Sequence, residues 1–353
     1  MRRLLSVAVA LFAITTSQAQ SLEDWLEKAE KVVKDAVEVV DEYVVPPVKE
    51  AVKEAAKVVD EYVVPPVKEA VKDAAKDVKK YITEDMELPQ LAKRQQGVAE
   101  SSWLEIPAQR EDGYYADAEV VTVMSGEERN YTFYYAFDTY TSLWVAYPLE
   151  ARHMGSCERP KGWDYNPYLS VSDQVNLCSR SYADDYSRGH LIPNASRNGN
   201  RDMQLQTFYV TNSVPQVQDG FNGGIWQRLE AGLQSVAESE RIYIVTGVAF
   251  EKMGEERDVV YTMARDDVKR VPVPKYFYKV ALKVAYDDAG EVCDAQSVGF
   301  WFENRSYKGG FVEHTQSVDT IEEWTGFDFF PNLPDDVEVR AETNANWNKF
   351  TSF

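Results

Sequence analysis

From residue 21 to about residue 88 the apolar positions recur with a helical period. Val48, Ala51, Val52, Ala55, Val59 and Tyr62 fall at i, i+3, i+4, i+7, i+11 and i+14, one stripe of an α-helix with Lys and Glu opposite it. The unit is duplicated, Val39 to Lys57 recurring as Val58 to Lys76 with Asp73 in place of Glu54, a period of 19 residues. Pro46-Pro47 and Pro65-Pro66 each start a new helix, because proline fits a first turn and breaks an interior. The residue before each pair, Val45 or Val64, is pushed to extended geometry. Three short amphipathic helices are expected, each too short to stand alone. Their stripe needs cover from a neighbour, another copy of the chain, another protein or a surface, and a spacer or helical cap is the plainest role. Lys balanced by Glu and Asp, with no Trp or Phe on the stripe, argues against a lipid surface.

The period breaks over residues 89–103, which read as a linker, and a second domain is expected over 104–353. There the pattern turns to aromatic and β-branched runs: A-E-V-V-T-V-M, N-Y-T-F-Y-Y-A-F-D and S-L-W-V-A-Y-P-L, separated by turn-prone S-G-E-E and D-T-Y-T. Further strands are expected at Thr207–Thr211, Ile242–Thr246 and Tyr276–Tyr286, with helices at Gly224–Ser239 and Ser317–Gly326. Strands first, with helices between and after them, predict an α+β domain built on a mixed sheet.

The N-terminus adds a compartment. Arg2 and Arg3, an apolar run from Leu4 to Ile14 and a small-residue S-Q-A ending at Ala19 form a signal-peptide pattern over residues 1–20. The run is too short to span a bilayer, no later segment is apolar enough to do so, and no Cys follows to carry a lipid. Export to the periplasm or beyond is expected. In that oxidising setting three cysteines permit one bridge at most, and Cys157 with Cys178 is the simplest pairing. No C-x-x-C spacing supports a zinc or redox site.

The formal charge of −20 argues against a chain that coats polyanions, since such affinity rests on Lys and Arg neutralising phosphates. It leaves room for an enzyme with a local basic patch and a metal. Residues 187–230 hold such a set. Hydrolysing a phosphodiester needs a base for water, a cation for the charge that develops and help for the leaving oxygen. His190 has the natural pKa range for the base, and Arg188 suits bidentate contact with phosphate. Asn222 offers an amide oxygen to a hard cation, which often needs only one or two protein groups. Glu230 lies eight residues on, two turns along a helix and so on the same face. Gly189 gives the backbone freedom to aim Arg188 and His190 into one pocket. Asp184 and Asp185 read as a solvated loop, Trp163, Trp226 and Trp301 as core, and Asp335–Glu338 as a solvated stretch near the C-terminus.

The blocks R-G-H-L-I-P, Q-T-F-Y-V-T-N-x-x-P-Q and F-N-G-G-I-W-x-x-L-E resemble the DNA/RNA non-specific endonucleases. These are the ββα-metal, or His-Me finger, nucleases that include the Serratia-type nuclease and endonuclease G. Ile242–Phe250, Val271–Val280 and Val318–Gly326 leading into F-F-P-N-L-P also fit, so the resemblance covers about Leu104 to Asp336. It implies a metal-dependent enzyme cutting DNA and RNA, with His190 as general base and Asn222 as the direct ligand of Mg²⁺, or Mn²⁺ in its place. Glu230 would hold a metal-bound water, Arg188 would meet the phosphate, and Asn212 would support the site by hydrogen bonding. Two departures stand out. Ser187 replaces the Asp of the family's D-R-G-H, and the upstream basic position in C-E-R-P-K-G-W falls to either Arg159 or Lys161. If it falls to Lys161, bidentate binding there is lost. The alternative from another class is an interaction protein or toxin, whose repeat binds a partner and whose nuclease domain is the delivered effector or only weakly active.

Overall fold

The structure, a computed structural model, describes residues 103–108 and 117–353. The expected signal peptide, the helical repeat and the linker up to residue 102 lie outside the described residues.

Seven strands form one sheet in the order β1-β2-β3-β6-β9-β10-β11, each antiparallel to its neighbours. They are β1 (Glu119–Ser125), β2 (Glu128–Ala136), β3 (Thr141–Leu149), β6 (Ile242–Ala249), β9 (Tyr276–Tyr286), β10 (Val292–Glu303) and β11 (Thr315–Gln316); β7 (Tyr261–Met263) and β8 (Arg270–Pro272) form a short antiparallel pair of their own. Its central strands are buried on both faces, so alternation sorts their side chains into two cores. Trp144, Val245, Tyr278 and Val280 face one core, closed by α3 (Val318–Thr325) and α4 (Asp335–Glu342) through Val318, Ile321, Val337 and Ala341. Val145, Tyr147, Ile244 and Phe277 face the other, closed by α2 (Gln227–Ala237) through Leu229 and Leu233.

Against this second face lies a separate antiparallel pair, β4 (Tyr186–His190) with β5 (Ser213–Val217). Leu191, Ile192 and Val214 seat the pair in the same core as α2. The pair followed by α2 makes the ββα unit that carries the candidate chemistry. The α+β class expected from the sequence is the class observed, with a main sheet that is antiparallel throughout rather than mixed.

The expected helix at 317–326 is α3. The Ser317 hydroxyl accepts from Thr320 N–H at 3.1 Å, and Gly326 ends the helix in the left-handed region at φ 69°.

Several local expectations change. Thr207–Thr211 is not a strand: α1 (Arg201–Gln206) ends there, and a single-turn 3₁₀ helix, Val210–Asn212, follows. The side chain of Asn212 takes up the Thr207 carbonyl that a ladder would have used. The helix expected from Gly224 begins at Gln227, after a kinked segment, Gln218–Trp226. Asp335–Glu338 opens α4 rather than running through solvent, and Val337 is buried. All three cysteines are free thiols. Cys157 is tied to Asn198 and Gln204 through its backbone, whereas Cys178 packs in a small cluster around Trp163 and Tyr182.

Candidate active site

Strand β4 sets the first two groups. Arg188 and His190 are two residues apart on one strand, so both side chains project to the same side, and both meet Trp163. This alternation, rather than a special conformation of Gly189, aims them together. Gly189 serves a close approach instead, since a Cβ there would come within 2.6 Å of the Gln216 Cβ across the pair.

His190 packs between Trp163, ring centroids 4.5 Å apart, and Phe208 at 4.9 Å. Its Nε2 is buried without a hydrogen-bond partner. Burial, helped by the Arg159 and Arg188 charges, lowers the imidazole pKa to about 3, so the ring is neutral at physiological pH. Arg188 donates from Nη1 to the Leu177 carbonyl at 2.7 Å and lies over the Trp163 ring. Arg159 lies over Phe208, 5.0 Å from its centroid. Two guanidinium groups thus rest on the two rings that hold His190.

Asn222 sits in the kinked segment. Gly223 and Gly224 leave helical geometry, so Asn222 is not on the α2 face that carries Glu230, contrary to the helical spacing expected from the sequence. The kink still directs both side chains into one place. Asn222 Nδ2 donates to Ser187 Oγ at 2.9 Å and to Gln218 Oε1 at 3.2 Å. Ser187 Oγ itself donates to the Gln216 carbonyl at 2.9 Å, so toward Asn222 it acts as acceptor. That chain fixes the amide with its donors spent on protein oxygens and Oδ1 left as the acceptor.

Glu230 stands on the first turn of α2 with Lys279 beneath it, Nζ to Oε1 3.7 Å. Lys279 is fully buried; it donates to Thr246 Oγ1 at 2.7 Å and to the Leu191 carbonyl at 3.4 Å, and lies over Trp226. Burial raises the Glu230 pKa and lowers that of Lys279, while their mutual attraction opposes both shifts. Asn212 is buried behind the site, with Oδ1 accepting from Ile192 N–H at 2.9 Å and Nδ2 donating to the carbonyls of Ile192 and Thr207. It pins the chain immediately after His190.

These groups line one open cleft of about 870 Å³. Arg159, Arg188, His190, Asn222 and Glu230 all border it, whereas Lys161 is exposed elsewhere and Asn212 lies behind the wall. Four arginines face two carboxylates around the rim, a local positive balance on a chain of charge −20. Neutral imidazole, amide oxygen, carboxylate and guanidinium groups in one cleft suit hydrolysis at a phosphate.

Residues 120–336, more than half of the chain, match the family model described as DNA/RNA non-specific endonuclease. The chain belongs to the DNA/RNA non-specific endonuclease family. The mitochondrial nuclease EXOG of Mus musculus is 26% identical over 212 residues, 57% of this chain and 55% of EXOG. The nuclease of Serratia marcescens is 28% identical over 208 residues, 57% of this chain and 72% of that protein. A chain from the crystal structure of the EndoG/EndoGI complex superposes with a TM-score of 0.52 at 18% identity, covering 68% of this chain and 96% of that one, a likeness of fold. The chain thus spans about half the length of EXOG and nearly three-quarters of the Serratia nuclease.

Within this family frame, sequence reading missed two features of the site. Lys279 was hidden in the expected strand Tyr276–Tyr286, although a lysine amid Tyr276, Phe277, Tyr278 and Val280 is the signal of a buried charge in need of a partner. Trp163, expected as core, is buried and also forms the cleft wall against which His190 and Arg188 rest.

Proposed function

We propose that this endonuclease-family chain is an exported, metal-dependent nuclease that hydrolyses phosphodiester bonds of DNA and RNA with little regard to sequence. The observation that carries the reading is the shared cleft of His190, Asn222, Glu230 and Arg188, with Asn222 oriented so that Oδ1 is its remaining acceptor. A hard divalent ion takes such oxygen donors. Asn222 would hold Mg²⁺, or Mn²⁺ in its place, directly, and Glu230 would hold it through water. The ion supplies Lewis-acid stabilisation of the phosphate and the leaving oxygen.

The protein groups do the rest. His190, whose Nε2 is buried, takes the proton from the attacking water through Nδ1. Its neutrality means no prior deprotonation step is needed at pH 7. Arg188 and Arg159 meet the phosphate oxygens, where their bidentate donors match the charge that grows in the transition state. Lys279 fixes Glu230, and Asn212 positions His190 through the backbone of Ile192. Contacts of this kind grip phosphate rather than base edges, which accounts for sequence tolerance. The N-terminal signal pattern supports export. The test is cleavage of single- and double-stranded DNA and RNA in Mg²⁺: activity on both acids, stopped by EDTA, is expected, and cleavage unaffected by EDTA would reject the metal-dependent reading.

A further inference from the structure

On the opposite side of the main sheet from the cleft, three carboxylates converge where α3 meets α4. Asp319 and Glu322 stand three residues apart on one face of α3, and Glu342 ends α4. One ligand oxygen from each lies within 4.8 Å of the other two. Glu342 is only 6% exposed, and its Oε1 is buried with no hydrogen-bond donor. Among the described residues no Lys or Arg forms an ion pair with any of the three. The Phe329 N–H, 2.7 Å from Glu322 Oε1, is the donor that reaches the group.

Three carboxylates this close do not all ionise unless a cation or a proton offsets them. A proton shared between two carboxylates offsets one of the three charges and leaves the others facing each other. A cation answers all three at once. Oxygen ligands about 2.3–2.6 Å from one ion lie at most about 4.6–5.2 Å apart, which accommodates the observed spacing. Asp319 is exposed, which leaves the solvent side open for water to complete the shell of an ion.

We propose that Asp319, Glu322 and Glu342 form a structural site for a hard divalent cation, Ca²⁺ in particular, separate from the nuclease centre. Ca²⁺ is favoured over Mg²⁺ because it takes several carboxylates in a flexible shell, whereas Mg²⁺ uses one or two and keeps its waters. The ion ties α3 to α4, and with them the segment through Phe327, Phe329 and Phe330 that closes this core.

Thermal melts of the full chain, stripped with EDTA and then given Ca²⁺, test the site. With Ca²⁺ at a hundredfold excess over its Kd, the melting temperature should rise by about 5–10 °C. The rise should persist in Asn222→Ala, which removes the proposed nuclease ligand, and vanish in Glu342→Gln. Asp319→Asn, an exposed substitution, keeps the test open if Glu342→Gln fails to fold, and should shift the half-saturating Ca²⁺ concentration upward about tenfold. No rise in the wild-type chain, a rise lost in Asn222→Ala, or an unchanged Ca²⁺ response in the carboxylate variants overturns the proposal.

Discussion

The hydroxyl of Ser187 accepts a hydrogen bond from the Asn222 amide at 2.9 Å and donates its own proton to the Gln216 carbonyl at 2.9 Å. Ser187 stands where the family resemblance places an aspartate. The substitution keeps an acceptor for Asn222 and adds a donor that a carboxylate lacks.

Ser187→Ala should therefore loosen the Asn222 amide without touching the substrate groups. Removing an outer-shell partner of this kind costs roughly 10- to 100-fold in metal affinity. The Mg²⁺ concentration for half-maximal cleavage should rise by about that factor while activity at saturating Mg²⁺ stays near wild type. Ser187→Asp should recover only part, since a carboxylate would oppose the Gln216 carbonyl. Titrating Mg²⁺ against initial rate for the three proteins checks this.

Lys279 and Glu230 form a buried pair, so removing one leaves the other uncompensated. Lys279→Met should cost roughly 3–5 kcal/mol of stability. The double variant Lys279→Met/Glu230→Gln should regain most of that stability and remain poorly active. Urea melts beside activity assays separate the two effects.

Geometry favours Arg159 for the upstream basic role: Arg159 borders the cleft over Phe208, and Lys161 does not border it. A lost charged hydrogen bond to phosphate is worth about 1.5–3 kcal/mol, roughly 10- to 100-fold in kcat/KM. Arg159→Ala should fall by that much, and Lys161→Ala should stay within about twofold of wild type, a surface change away from the chemistry.

How much of this was legible in the sequence depends on how local the cause was. Strands β1, β2, β3 and β9 were legible in their aromatic and β-branched patterns, and α3 in its period and its Ser317 and Gly326 ends. Strand β10 was not, because V-C-D-A-Q-S opens it with polar residues and the rest is buried on both faces, so no alternation marks it. Thr207–Thr211 has strand-like residues, yet Asn212 takes the Thr207 carbonyl, and Asp164, remote in sequence, pairs with the backbone of Phe208 and Val210. The same split holds at the site. The R-G-H and F-N-G-G blocks marked Arg188, His190 and Asn222. The Lys279–Glu230 pair and the Trp163 wall depend on which strand lies under α2, which no local pattern specifies.

The environment of His190 has a pH consequence. Its folded pKa, lowered to about 3 by burial and the two arginines, lies below the unfolded value near 6.5. The neutral ring therefore contributes stability above about pH 6.5 that is lost as the pH falls toward 3. An imidazole resonance assigned by comparison with His190→Ala should stay at its neutral position from pH 8 to about pH 5 in the metal-free protein. A midpoint near 6.5 would show that the ring is solvated.

The most direct measurement is Mg²⁺-supported cleavage of plasmid DNA and of RNA by the wild-type chain and by His190→Ala, each first shown to be folded. A positioned general base contributes about 10²- to 10⁴-fold. His190→Ala should lose activity by that factor on both nucleic acids with little change in substrate binding. A His190→Ala protein that cleaves as fast as the wild type would contradict that role.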